Sequence, residues 1–157
     1  MEKVETIAKY FIWKASQENK KISNKKLQKL LYYAQAWYLA IENKPLFKDD
    51  IEAWIHGPTI RIIYNEFKKF GFRPIEIKIN EKEIENIKND DLLDEVWKLY
   101  GKYDADYLEA LTHNEEPWQK AREGLEFDQS SDNIISKDSM KEYYKDRLTK
   151  MKQDATA

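Results

Sequence analysis

The stretch Lys26-Leu27-Gln28-Lys29-Leu30-Leu31-Tyr32-Tyr33-Ala34-Gln35, which continues to Ile41, decides the fold. Apolar residues at 27, 30, 31, 34, 38 and 41 recur at helical spacing. Tyr33, Trp37 and Leu39 fill the other side, and a helix that is apolar nearly all round is buried. We therefore predict a buried central helix over about residues 24–43, capped by Ser23 or Asn24.

The composition favours a mainly α fold around this helix. The 157 residues include only four Gly and four Pro, too few for a protein with many tight turns. Five Trp, ten Tyr and six Phe supply enough apolar mass for a core. We predict a single compact multi-helix domain over residues 1–157, with its core at about 3–148 and a frayed C-terminal tail at 151–157.

Shorter periodic segments flank the central helix. Apolar spacing predicts a first helix over roughly 3–18, later helices near 60–70, 92–100 and 107–111, and a last helix that Ser136 caps. Ile75, Ile77 and Ile79 alternate with Glu76 and Lys78, which is typical of a strand. We predict at most a small two-stranded β ribbon, in which 75–79 pairs with about 51–54.

Several protein classes are excluded or disfavoured by simple counts. The chain has no cysteine, so it has no disulfide, no Cys-ligated metal and no thiol nucleophile. Its most apolar segment, Leu30 to Ile41, is far shorter than the ~20 residues of a membrane helix. The N-terminus lacks the basic and apolar regions of a signal peptide. We expect a cytoplasmic protein with no membrane partner.

The charges nearly cancel, but the lysines cluster. With 27 basic and 29 acidic residues, binding to nucleic acid through bulk positive charge is disfavoured. A candidate basic patch at the start of the central helix comprises Lys20, Lys21, Lys25, Lys26 and Lys29. This patch either contacts nucleic acid, acidic lipid or an acidic partner, or is a solvated face. The near-zero net charge favours the solvated face, so nucleic acid is an unfavoured partner.

Little in the sequence points to catalysis. His56 and His113 are the only histidines, and there is no nucleophile elbow and no glycine-rich phosphate loop. His113 and Glu116 have the spacing of carboxylate metal bundles, but the motif occurs once, beside Pro117. We predict no catalytic residues, no metal and no cofactor. An enzyme built on the two histidines remains the rival hypothesis.

The densest group of special residues is Trp54-Ile55-His56-Gly57-Pro58-Thr59-Ile60-Arg61. Pro58 is predicted at the first position of a helix, where free backbone N–H groups and Arg61 would form an anion site. The alternative is that these residues are core, turn and ordinary surface.

Six ordered blocks resemble one known family. They are Lys26 to Gln35, Pro45-Leu46-Phe47, Glu52-Ala53-Trp54-x-x-Gly57-Pro58, Tyr64-x-x-Phe67-Lys68, Leu111-Thr112-His113-x-x-x-Pro117-Trp118-x-x-Ala121 and the final helix from Ile135-Ser136 to Tyr143-Tyr144. Their order and spacing resemble the Panacea, or SocA-like, antitoxin domain over about residues 3–148.

This resemblance implies an antitoxin of a bacterial or phage toxin–antitoxin pair, and it implies a role in phage defence. It would neutralise a toxin encoded by a neighbouring gene through direct protein contact. The alternative implied role is that of an adaptor that delivers the toxin to a protease. Many family members carry a DNA-binding module, for which we expect no room in this chain. The family offers no established catalytic residues that could be assigned to positions of this sequence.

We further predict that the segments around Gly57-Pro58 and from Thr112 to Trp118 meet in space. Each contains a helix start, a histidine and a tryptophan that needs a hydrogen-bond partner. The candidate partner-binding residues are His56, Thr59, Arg61, His113 and Trp118. The pocket they shape is either internal architecture or the acceptor of an acidic or C-terminal group of the toxin.

Overall fold

Helix α2 (Asn24–Glu42) lies at the centre of the computed structural model. Every residue from Lys26 to Ala40 is buried, as expected for a helix that is apolar on all sides. The hydroxyl of Ser23 caps it by accepting a hydrogen bond from the backbone N–H of Lys26, 3.1 Å away. The predicted central helix is confirmed, and Ser23 is its cap.

The structure describes residues 1–156, and within them six further α helices and one two-stranded sheet surround α2. Their bounds are α1 Val4–Gln17, β1 Glu52–Trp54, β2 Gly57–Thr59, α3 Arg61–Phe67, α4 Asp90–Tyr100, α5 Ala105–His113, α6 Glu116–Ala121 and α7 Lys137–Thr156. Short 3₁₀ helices occupy Lys68–Phe70 and Glu81–Glu83. The mainly α class is confirmed. Among these residues no helix has both the length and the apolar character needed to cross a bilayer.

A buried aromatic cluster joins α7 to α2. The ring of Tyr144 packs edge-on against Trp37, with centroids 4.8 Å apart, and against Tyr32 and Tyr33 at 6.3 and 6.2 Å. The carboxylate of Glu115, just before α6, accepts hydrogen bonds from all three tyrosine hydroxyls, at 3.3, 3.0 and 2.5 Å. Burial raises the pKa of Glu115, while those hydrogen bonds act in the opposite direction. One acidic side chain thus ties three helices together.

Buried amide side chains of α2 hold the irregular segments in place. Gln35 donates to the carbonyl of Phe47 at 2.8 Å and accepts from the N–H of Leu46 at 2.7 Å. Gln28 accepts from the N–H of Ile60 at 2.8 Å. Because buried backbone groups need partners, these two side chains allow the chain after α2 to run through the interior without a continuous sheet.

The predicted pairing of the ribbon is wrong. β1 pairs with β2 in an antiparallel hairpin, and not with 75–79. The other side of β1 is also occupied, since Ala53 donates to the carbonyl of Asn133 and Ile135 donates to that of Ile51. β1 therefore has no free edge for the 75–79 segment, which lies outside any strand. The N–H of Ile75 donates instead to the carbonyl of Ile22.

Two element ends also differ from the predictions. Pro58 lies in β2, and α3 begins only at Arg61, because Gly57 and Pro58 pair with β1. At the C-terminus, α7 continues through Thr156, where fraying from 151 was expected. The last residue of that predicted tail, Ala157, lies outside the described residues.

The role assigned to Gln35 gives a test of the fold. Gln35→Met keeps the length of the side chain but leaves the N–H of Leu46 and the carbonyl of Phe47 buried without a partner. We expect the free energy of unfolding to fall by about 2–5 kcal/mol in urea denaturation. The exposed Gln153→Met on α7 is the matched control and should change stability by less than about 0.5 kcal/mol. Equal effects of the two variants would contradict the role of Gln35.

Candidate partner-binding site

The β1–β2 hairpin lies at the centre of the candidate site. Its register pairs Trp54 with Gly57, so Ile55 and His56 form a two-residue turn. Gly57 has φ +104°, in the left-handed region that favours glycine. A Cβ at this position would lie 2.4 Å from Cε of Lys29. Glycine here therefore serves both the turn and the path of a lysine beneath it.

The two segments predicted to meet do so. The indole N–H of Trp118 donates to the carbonyl of Trp54 at 2.8 Å. The ring of His113 stacks on Trp118 with centroids 4.1 Å apart. These contacts fix the hairpin turn against the α5–α6 corner.

The two histidines have separate environments. His56 is exposed, and its Nδ1 lies 3.2 Å from Oε1 of Glu109. Burial lowers the pKa of His113, whose Nε2 is buried without a hydrogen-bond partner in the described chain. Within residues 1–156 no hydrogen bond joins the two imidazoles, and no group of three His, Asp or Glu side chains converges to hold a metal. The arrangement provides a stacked aromatic surface and a surface imidazole.

Arg61 does not provide the free cation that the sequence suggested. Its guanidinium forms a two-pronged hydrogen bond with the carboxylate of Glu52, at 2.8 and 3.2 Å, and lies 5.2 Å from the ring centroid of Trp54. Burial alone would raise the pKa of Glu52, but hydrogen bonds from Arg61 and Trp54 lower it. Arg61 is thus a compensated charge that covers a tryptophan, and the anion site expected at a helix starting with Pro58 is absent from residues 57–61.

The five candidate residues therefore gather at one place but differ in access. Thr59 is buried, and its hydroxyl donates to the carbonyl of Gly57 at 3.1 Å, so it stabilises the hairpin. Trp118 is buried as well. His56 and Arg61 are exposed, and His113 is half-buried.

The predicted basic patch does not form one surface. Lys20 and Lys21 are exposed. Lys25 forms ion pairs with Asp106 and Glu109 on α5, at 2.8 and 2.6 Å. The patch is divided because the buried helix carries three of its members into the protein.

Lys26 and Lys29 are buried, so their assignment to a solvated face is wrong. Lys26 donates to the carbonyl of Gly101 at 2.6 Å. Lys29 is only 1% exposed and donates to the carbonyl of Pro58 at 3.1 Å. Burial lowers the pKa of Lys29 to about 7. A signal for this burial was present in the sequence, because a helix apolar all round leaves no solvated face for lysine.

Two cavities lie beside the hairpin, and Trp54 and His56 line both. One, of about 450 Å³, is also bordered by Arg61 and by residues 130–132. The other, of about 230 Å³, lies between the hairpin, the start of α2 and the end of α3. The hairpin therefore borders two concave surfaces that could accept a ligand or a partner side chain.

Comparison with known proteins identifies the family. Residues 27–119, more than half of the chain, match the family model described as Antitoxin SocA-like, Panacea domain. The protein belongs to the SocA-like Panacea family. This confirms the resemblance that the ordered blocks predicted. The matched range runs from within α2 to within α6 and includes the β1–β2 hairpin, whereas residues 130–132, which border the larger cavity, lie outside it.

A curated relative has a name that agrees with this family. The chain is 35% identical over 78 residues to a protein called Antitoxin SocA from Caulobacter vibrioides (strain NA1000 / CB15N). The alignment covers 50% of this chain and 42% of that relative, so the chain spans less than half the length of the relative it matches. No solved structure gives a significant match. In this Panacea domain, α1 and the whole of α7 lie outside the matched range and still pack on α2.

The buried lysine predicts a pH-dependent stability. In the folded protein the amine of Lys29 loses its proton above about pH 7, whereas in the unfolded chain it keeps the proton up to its ordinary value of 10.5. The unfolded state therefore binds more protons between these values, and the free energy of unfolding rises with pH, by up to about 1.4 kcal/mol per pH unit from this group. Urea denaturation between about pH 7 and 9 should show this rise in the wild type and a flatter profile in Lys29→Met.

The variant comparison isolates Lys29 from the charged groups near it, Glu109, Lys25 and His113, because these are present in both proteins. The exposed Lys21→Met should keep the wild-type profile. Identical profiles for wild type and Lys29→Met would refute a buried amine that titrates near neutrality.

Proposed function

We propose that this protein is an antitoxin that neutralises a protein toxin by direct contact, without a catalytic role. The observation that carries the proposal is its membership in the SocA-like Panacea family, together with the similarity to a relative named Antitoxin SocA. On this proposal the chain acts in the cytoplasm as one domain, and the toxin is encoded by a neighbouring gene.

The proposed contact surface is the hairpin face, which we define as Arg61, Phe127 and Ile134. Phe127 is 67% exposed and packs edge-on against His113, with centroids 5.5 Å apart. Ile134 is 55% exposed and lies opposite Glu52 across an isolated bridge beside β1. Exposed apolar side chains next to an arginine have the composition typical of protein interfaces.

The hairpin face is held rigidly, which favours its use as a binding surface. The carbonyl of Trp54 accepts a hydrogen bond from the indole of Trp118. The ring of Trp54 packs edge-on against Tyr64, with centroids 4.8 Å apart, and lies under the guanidinium of Arg61. A surface that is already ordered loses little conformational entropy on binding. Large side chains fixed in this way are the type that dominates binding energy.

The two implied antitoxin mechanisms differ in the fate of the toxin. Direct neutralisation leaves the toxin intact in a stable complex. An adaptor would deliver it to a protease and lower its amount. The family membership applies equally to both, and recovery of an intact complex distinguishes the first from the second.

Co-expression with the product of the neighbouring gene tests the proposal. We expect growth rescue, and a complex that purifies intact, with the wild type and with His56→Ala/His113→Phe, in which Phe preserves the stack on Trp118. Arg61→Ala and Ile134→Asp should each weaken toxin binding by at least about tenfold in titration calorimetry, the loss expected at an interface centre. The thermal stability of both variants should stay close to that of the wild type, because the side chains of Arg61 and Ile134 are 54% and 55% exposed.

Lys98→Ala on α4 is the matched control, since it removes an exposed ion pair with Glu95 away from the hairpin. It should rescue and bind as the wild type does. A neighbouring product that is neither toxic nor bound would refute the antitoxin proposal. Loss of rescue in the double histidine variant, with binding retained, would favour the rival enzyme instead.

A further inference from the structure

The smaller cavity beside the hairpin has an unusual charge balance. Three lysines line it, Lys25, Lys29 and Lys68, and no Asp or Glu is among its lining residues in the described chain. The negative partners of Lys25 lie on α5, where Oε1 of Glu109 is shared between Lys25 and His56. Lys68 is exposed and forms no ion pair within residues 1–156. The walls therefore carry excess positive charge.

Lys29 is the buried donor of this cavity. Its ammonium has three N–H groups, and in the described part of the chain the carbonyl of Pro58 is its one acceptor. A buried charge with incomplete pairing is costly, and a counter-ion relieves that cost. The absence of a side chain at Gly57 leaves room for Lys29, because a Cβ there would lie 2.4 Å from Cε of the lysine.

The other buried polar side chains of the cavity are already used. Asn24 donates to the carbonyl of Tyr64 at 3.1 Å, and Gln28 is bonded to the backbone of Ile60. The hydroxyl of Thr59 is bonded to Gly57. Donor capacity toward a ligand is thus concentrated on Lys29, with Lys68 nearer to solvent.

The remaining lining consists of three aromatic residues, Gly71 and the exposed His56, whose Nδ1 lies 3.2 Å from Oε1 of Glu109. Trp54 and Tyr64 form one wall, and Phe72 stands at the opening with 85% of its surface exposed. The volume of about 230 Å³ is below the ~300 Å³ at which pockets for drug-sized ligands begin. The cavity thus suits one apolar residue that ends in a negative charge.

We propose that this cavity binds the C-terminal carboxylate of a protein chain whose last residue is apolar, with Lys29 holding the carboxylate and Trp54, Tyr64 and Phe72 holding the side chain. An internal Asp or Glu brings the charge without an apolar body, so it leaves the aromatic wall unused. Identifying that chain as the toxin rests on the proposed function, whereas the cavity's preference for such a group does not.

The test uses small probes of a chain end. N-acetyl-leucine carries the apolar side chain and the terminal carboxylate, and N-acetyl-leucinamide is the same molecule without the charge. At about pH 6, below the pKa of Lys29, titration of labelled protein with N-acetyl-leucine should shift the NMR signals of Gly57, Thr59 and the Lys29 side chain. The dissociation constant should be on the order of 1 mM, as expected for so small a ligand.

Three comparisons decide the outcome. The amide should bind at least about tenfold more weakly than the acid, the effect of losing one charged hydrogen bond. Acetate and the α-amide of N-acetylglutamate should also bind more weakly, and equal binding of either would overturn the assignment to a chain end. Equal binding of acid and amide, or shifts away from the cavity, would overturn the site itself.

Lys29→Met should lose binding of the acid by at least about tenfold, while the exposed Lys21→Met should keep it. The comparison of acid with amide on the wild type stands even if Lys29→Met does not fold. Probe binding without a toxic neighbour would refute only the proposed function. Growth rescue without probe binding would refute only the cavity.

Discussion

The polar side chains of the buried helix α2 are the constraint on which the rest of the structure depends. A helix buried on every side cannot place its polar groups in water, so each must find a partner in the protein. Gln35 binds the loop after α2, Gln28 binds the end of the hairpin and Lys29 binds Pro58. On the opposite side, Tyr33 reaches Glu115 before α6. One helix therefore provides both the apolar core and the hydrogen bonds that position the loop after α2, the end of the hairpin and the residue before α6.

The same constraint shapes the candidate site. The hairpin is short and would be marginal alone, but it is held from below by α2 and from the side by Trp118. Its exposed side can therefore carry Arg61, a compensated charge covering Trp54, without losing order. The buried charge of Lys29 has little pairing of its own and leaves a positive cavity next to that surface. Rigid support and incomplete charge pairing thus occur at one place, within the range that matches the Panacea family.

Local signals predicted the helices well because spacing and caps act over a few residues. Ser23 and the apolar stripe of α2 sufficed for the central helix, and the two tryptophan-bearing segments were correctly expected to meet. Strand pairing depends on which strand edges are free in three dimensions. Residues 75–79 have the alternating apolar pattern of a strand, but both edges of β1 are already occupied. Lys29 was misjudged because lysine is ordinarily exposed, although its position on an apolar helix indicated burial. Glu115, the acceptor of three tyrosines, had no sequence signal beyond its place before a helix.

The most direct test of this account is native-state hydrogen exchange at the backbone N–H groups that α2 side chains hold. The N–H groups of Leu46 and Ile60 lie outside any helix and donate to no backbone carbonyl within residues 1–156. They donate instead to the side-chain oxygens of Gln35 and Gln28. If α2 organises the irregular segments, both amides should exchange only through global unfolding, with the same free energy as the amide of Ala34 within α2. Exchange of Leu46 and Ile60 through low-energy local openings, while Ala34 stays protected, would contradict the central role of these side chains.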